Sequence, residues 1–211
     1  MNSIGTNKFE QLADSKQKSI IDASVTEFAQ NGFKNASVNK IVTNAGISKG
    51  SLFNYFKSKN LLFDHIYTIA FKKVKSYLAK VRNESKNDDF FTRFGKIINA
   101  GVVFINKYPR LARIYFRLLN SDDSPQGKKI IQELHSEAVR YLEKFVIESI
   151  ERNELNKKLN TTITAFLLES VLNRILQTHY LDLFDPKSII AKHNNNWINE
   201  IVVTLKTGLS A

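Results

Sequence analysis

Apolar side chains recur at helical spacing along most of the chain, and the breaks between the stripes divide it into successive helices. Ile21, Val25, Phe28 and Ala29 form a first inner stripe, which predicts a helix from about Ser15 to Asn31 that closes at Gly32. Ser37 is a suitable N-cap for a short helix with Ile41 and Val42 turned inward, and Gly46 supplies the left-handed residue that ends it. Ser48 starts the next helix, Ser48 to Phe56, with Leu52 and Phe56 four apart and facing back into the domain. From the N-cap Ser58, the series Leu62, Ile66, Ile69, Phe71, Val74, Tyr77, Leu78 and Val81 predicts one long helix to about Arg82. Residues 1 to about 14 are polar and aperiodic and are expected to form a mobile arm, with Lys8 its only basic residue.

A polar break, Asn83 to Asp89, precedes Phe90 to Tyr108, which is unusually apolar around its circumference and is therefore expected to be a central helix. Pro109 suits the start of a short helix to Leu119, with Arg110, Arg113 and Arg117 on one face and Leu111, Ile114, Tyr115 and Leu118 on another. After the loop Ser121 to Gly127, a helix runs from Ser124 or Pro125 to Arg152. The break Asn153 to Asn160 leads to a helix from Thr161 or Thr162 to Tyr180, and the last helix runs from about Pro186 to Thr207. No internal repeat is visible, and the pattern predicts an all-α protein of about nine helices.

The most specific local feature is the pair of short helices. Only Gly46 and Ile47 separate them, and so tight a turn makes the helices cross steeply, with the second projecting outward. Its start carries Lys49, Gly50 and Ser51, followed by Asn54 and Tyr55, side chains suited to hydrogen bonding in a DNA groove.

These residues, with Phe28, Ala29 and Gly32 upstream, resemble the N-terminal domain of the TetR family of one-component transcriptional regulators. The matching blocks are Ala36-Ser37-Val38, Ile41-Val42, Ala45-Gly46-Ile47-Ser48, Leu52-Phe53-Asn54-Tyr55-Phe56, and Lys59 before Leu62-Phe63, in order and without a gap. The resemblance covers roughly the first third of the chain. Ala36 stands where a hydroxyl is usual, and Phe53 replaces a usual Tyr, so that Phe53 is left to pack on a sugar or a thymine methyl. The resemblance implies phosphate contacts by Ser37, Ser48, Tyr55 and Lys59, and base-edge contacts by Lys49, Gly50, Ser51 and Asn54. It implies a helix-turn-helix domain at residues 1–60, joined by the long helix to a helical effector-binding and dimerisation domain at 61–211. The expected partners are palindromic operator DNA, a small effector, and a second copy held through the last two helices. The expected action is repression relieved by that effector.

Composition narrows the alternatives. The 211 residues include no cysteine, only 3 Pro and 8 Gly, and four histidines with no i, i+4 pair, so no disulfide is possible and neither a metal site nor a cofactor is expected. No run of about 18 uninterrupted apolar residues occurs, and the start lacks an apolar signal core, which predicts a cytoplasmic protein without a membrane partner. The net charge of +11 suits a polyanion, yet residues 1–60 hold +4 of it and the remainder +7, so the excess is a general lysine-rich surface and the motif carries the case for DNA. There is no cysteine nucleophile, glycine-rich phosphate loop, His-Glu-x-x-His or serine elbow, and no catalytic residue is assigned. The aromatic residues Phe94, Phe104, Tyr108, Tyr115, Phe116 and Phe166, with Arg113, are candidates for lining a cavity for an apolar or amphiphilic effector; at helical spacing the same residues also suit a core. The rival function is an architectural DNA-binding protein with no effector.

Overall fold

The computed structural model describes residues 7–120, 124, 126–181 and 197–209, and among them there are helices and no strand. The helices are α1 (Asn7–Glu10), α2 (Asp14–Asn35), α3 (Val38–Ala45), α4 (Lys49–Tyr55), α5 (Lys59–Glu84), α6 (Phe90–Lys107), α7 (Pro109–Asn120), α8 (Gly127–Glu151), α9 (Thr161–Leu181) and α10 (Trp197–Leu209). The expected start of the last helix, at Pro186, lies outside the described residues. The chain forms two compact units, one of Met1–Val74 with Tyr108–Lys128 and the other of Lys75–Lys107 with Lys129–Ala211.

In the first unit, Ile20, Phe28, Ile41, Leu52, Phe56, Leu62 and Ile66 make a closed core. Phe28, Phe33 and Phe63 pack as an aromatic trio with centroids 5.0 to 6.2 Å apart. Helix α2 is interrupted at Gly32, whose φ of 71° lies where a side chain would be strained, and the chain turns there into α3. Helix α7 belongs to this unit. Its apolar face, Leu111, Ala112, Ile114 and Phe116, is buried. Arg110 donates to the Thr26 hydroxyl at 2.5 Å, and Arg117 donates to the Gln30 carbonyl at 3.0 Å. Two of the three arginines on the polar face of α7 are thus docked on α2.

The arm expected to be mobile is a short helix from Asn7, because Phe9 is an apolar anchor too isolated to produce a periodic signal. Its ring is buried against Tyr55, Phe56 and His65.

In the second unit, Phe90, Phe91, Phe94, Ile97 and Ile98 of α6 pack with Leu142, Phe145 and Val146 of α8, Leu155, and Ala165, Leu168 and Ile175 of α9. Two charged groups secure the entry of α6. Glu154 accepts the Phe90 N–H at 3.0 Å, and buried Arg93 lies 4.5 Å from the Phe145 ring centre and 3.2 Å from Glu148. Helix α6 is most enclosed along its first half; toward its end Ala100 and Ile105 are still buried, Val102 and Phe104 are half-buried, and Val103 is exposed. Helix α9 turns Thr164, Ala165, Leu168 and Glu169 inward and leaves Ile163, Phe166 and Leu167 exposed at 57, 55 and 53%. No described helix is long and apolar enough to cross a membrane.

Candidate nucleic-acid interface

Two caps and one left-handed residue build the reader. The Ser37 hydroxyl accepts the Lys40 N–H at 3.3 Å and so starts α3. Gly46, at φ 63° and ψ 42°, ends α3 while the Ile47 N–H returns to the Val42 carbonyl at 3.0 Å. The Ser48 hydroxyl accepts the Ser51 N–H at 3.0 Å and starts α4 at once. Side chains of α2 grip the turn, with Ser19 donating to the Ala45 carbonyl and Lys16 to the Gly46 carbonyl, each at 3.2 Å. Leu52 buries the inner face of α4.

What remains outward on α4 is Lys49, Gly50, Phe53 and Asn54, all exposed, with Ser51 and Tyr55 half-buried beside them. A Cβ at Gly50 would meet Ser48 Oγ at 3.9 Å, an ordinary contact, so the protein itself does not require glycine there. The Ser48 and Ser51 hydroxyls are 2.8 Å apart, which commits one proton to the other oxygen. Free N–H groups at the start of α4, the hydroxyl pair and Lys49 give this end a positive character suited to phosphate.

Lys59 has a different surrounding from the one its motif suggests. Its ammonium donates to the Lys34 and Ala36 carbonyls, both at 3.2 Å, and lies 4.8 Å from the Phe33 ring centre. Sequence reasoning also passed over Phe9 and Glu27. Glu27 is buried on α2 and accepts the Ser37 N–H at 2.8 Å. A signal for it existed: Lys40, three residues after the cap, cannot accept that N–H as a Glu or Gln would. Beneath α4, burial pushes the His65 imidazole below its ordinary pKa, aided by Lys72 and opposed by Glu10.

The candidate effector residues fall in both units. In the second, Phe94 is wholly buried and stacked at 6.3 Å on Phe90, a core position. Phe104 is half-buried and edge-on to Tyr77, and Phe166 is exposed on α9. In the first, Tyr108 lies under the Lys73 ammonium, Tyr115 is edge-on to buried Phe116, and Arg113 is exposed. Phe94 and Phe166 therefore do not line a cavity of their own unit: one is consumed by core packing and the other faces outward. A crevice among Phe28, Phe33, Phe63, Ile114 and Leu118 has a volume of about 10 Å³, room for at most about one water. A polar group missed by the sequence reading joins α8 to α9. Glu169, buried, accepts from His135 Nδ1 at 2.6 Å and Asn173 Nδ2 at 2.8 Å, and the hydrogen bond to Glu169 raises the His135 pKa against the opposing effect of burial.

Residues 20–66 match the family described as bacterial regulatory proteins, tetR family. Over 188 residues the chain is 31% identical to the fatty acid metabolism regulator protein of Bacillus subtilis (strain 168), covering 89% of this chain and 94% of that relative. Its fold is similar to a TetR family transcriptional regulator from Chloroflexus aurantiacus J-10-FL, with a TM-score of 0.68, 23% identity, and 98 and 99% of the two chains covered. It is likewise similar to the transcriptional regulator FadR from Bacillus subtilis in complex with stearoyl-CoA, with a TM-score of 0.67, 19% identity, and 88 and 97% covered.

Proposed function

The chain belongs to the TetR family of transcriptional regulators, proteins that bind DNA and are not enzymes, and from that premise we propose that it is a homodimeric, cytoplasmic repressor released from a palindromic operator by a long-chain acyl effector. The observation that carries the DNA reading is α4, capped by Ser48 and held on α2 through its turn, with Lys49, Gly50, Phe53 and Asn54 outward. In this reading Lys49, Gly50, Ser51 and Asn54 face base edges, Phe53 packs on a sugar or methyl, Ser37, Ser48 and Tyr55 contact the DNA backbone, and Lys59, bonded to the Lys34 and Ala36 carbonyls, supports the loop that presents Ser37. Residues 1–60 act as the reader, and the effector and dimerisation part is drawn from 61–211, of which 61–74 and 108–128 pack in the reader's own compact unit.

The second copy is held through α9 and α10. Exposed Ile163, Phe166 and Leu167 lie on one face of α9, and Val203 is exposed on α10, more apolar surface than a helix facing only water carries. The two-fold axis presents two α4 helices to half-sites about 34 to 36 Å apart or a multiple of that spacing.

The acyl effector is supported by the likeness to a fatty acid metabolism regulator and to a structure holding stearoyl-CoA. It is also supported by half-buried apolar side chains along the end of α6 and the first half of α8, namely Val102, Phe104 and Leu134. Occupancy there shifts α5, a single helix with residues in both units, and changes the spacing of the two readers; the effector must prefer that mismatched state.

Two measurements test the reading. If the dimer neutralises about eight phosphates, log K for a duplex selected from a random pool falls against log salt with a slope of about −7, and a slope near zero rejects it. Stearoyl-CoA, free stearate and a lipophilic cation are then compared for thermal stabilisation and operator release. Stabilisation and release by the thioester support the acyl reading, those by the cation alone reject it, and neither by any class favours an effector-free architectural protein.

A further inference from the structure

The peptide bond joining Ala36 to Ser37 is held at both ends by side chains of opposite charge. Its C=O accepts from Lys59 Nζ at 3.2 Å, and its N–H donates to Glu27 Oε1 at 2.8 Å. In a trans peptide these two groups point in nearly opposite directions, so the ammonium and the carboxylate grip the chain from opposite sides. Lys59 has a second anchor two residues earlier, at the Lys34 carbonyl. Glu27 is only 4% exposed.

The gripped peptide leads directly into the N-cap of α3. In a capping box, the residue three positions after the cap accepts the cap's own N–H. Here that residue is Lys40, a donor only, and Glu27 does the job from α2. Withdrawing a carboxylate from water is costly unless it is hydrogen-bonded, and the bond that Glu27 accepts from the Ser37 N–H also restrains the residue whose hydroxyl starts α3. Two of the three donors of the Lys59 ammonium are taken by backbone carbonyls, so its geometry serves the loop first.

We propose that Glu27 and Lys59 are positioning residues for DNA recognition, a charged clamp on one peptide bond that sets Ser37 and the entry of α3 against the DNA backbone. This rests on the reading of Ser37 as a backbone contact. Lys59 then acts through the peptide rather than as a bare phosphate ligand. The clamp has an unusual sign. Glu27 is an acidic residue inside a DNA-binding unit, and its removal, by charge alone, should tighten binding to any duplex.

The test uses the full chain, a duplex enriched by the wild-type protein from a random pool, and a scrambled duplex. Glu27→Ala is expected to weaken binding to the enriched duplex by roughly tenfold or more, the loss of a charge-assisted hydrogen bond, while binding to the scrambled duplex holds or tightens. Amide exchange at Ser37 should accelerate, and Glu27→Gln, which keeps an acceptor, should restore most of both properties. Unchanged affinity together with unchanged Ser37 exchange in a folded Glu27→Ala protein overturns the proposal. If that variant does not fold, Lys59→Met decides. Faster Ser37 exchange with a loss confined to the enriched duplex supports the clamp, whereas equal losses on both duplexes with unchanged exchange mark a plain phosphate contact and overturn it. Should the wild type enrich no duplex at all, the reading of Ser37 falls, and Ser37 exchange in the same variants still judges the clamp.

Discussion

The ring of Phe9 lies 4.7 Å from the ring of Phe56, tilted by 54°, so a residue of the N-terminal arm packs against the C-cap of the proposed recognition helix. Phe9 also meets His65 at 5.1 Å and Tyr55 at 6.3 Å, both edge-on. Helix α1 has only four residues, too few to hold itself, and the buried ring secures it together with Gln17, which donates to the Glu10 carbonyl at 3.2 Å. Phe9→Ala is expected to cost about 1 to 3 kcal/mol, seen as a lower denaturant midpoint at unchanged slope, and to weaken operator binding although the Phe9 ring is buried within the protein. An unchanged midpoint would show that the arm does not support α4.

Gly50 separates stability from recognition. Alanine in its place fits the free protein, because the added Cβ would meet Ser48 Oγ at 3.9 Å, and it removes the conformational cost of glycine in a helix. Gly50→Ala should therefore raise stability by about 0.5 to 1 kcal/mol while weakening operator binding. A variant that is more stable and binds as tightly as before rejects close approach of DNA at this position. Asn54→Ala, if Asn54 reads a base edge, should cost about 1 to 3 kcal/mol on the preferred operator and relax preference at one symmetric pair of positions.

In the proposed reading the exposed face of α9 holds the second copy. Lysine at both Ile163 and Leu167, one turn apart, would put unpaired charges into the proposed interface, and sedimentation should then show monomers at concentrations where the wild type is a dimer. Because both side chains are more than half exposed in the single chain, the substitutions leave the core of the second unit intact, and helical content should persist. A well-folded dimer after both changes places the interface elsewhere.

Two histidines respond to pH in opposite senses. Burial, with Lys72, lowers the His65 pKa, so folding favours its neutral form; that stability is present above the ordinary histidine pKa of about 6.5 and is lost as pH falls toward the depressed value. The Glu169 hydrogen bond raises the His135 pKa, so the charged form is favoured; that stability is present below about 6.5 and is lost as pH rises through the elevated value. His65→Gln should flatten the acid side of the stability profile, and His135→Gln the neutral-to-alkaline side. Identical profiles in wild type and variants would remove both assignments.

Local signals were enough to read most of the fold. Ser37, Gly46 and Ser48 carry caps and a left-handed turn that depend on a few adjacent residues, and the long apolar periods from Leu62 to Val81 and from Phe90 onward can bury a face only as helices. The outward placement of Lys49, Gly50 and Asn54 followed from the same period, because Leu52 and Phe56 must face inward. The family pattern, a short block of ordered spacings, was legible for the same reason.

What depended on partners distant in the chain was not legible. Phe9 reads as a lone apolar residue until Phe56 and His65 are beside it. Lys59 matches a phosphate contact in its motif, but the carbonyls of Lys34 and Ala36 meet its ammonium, and Glu27 gains a purpose only when the turn at Gly32 brings Ser37 to its carboxylate. Phe94 and Phe166 have the same chemistry and the same helical spacing, yet one is enclosed by Phe90 and its neighbours and the other faces outward. Periodicity reports which side of a helix is apolar; which apolar side chains meet one another, and which are left for a second copy, is decided by packing between helices, and no single helix encodes that.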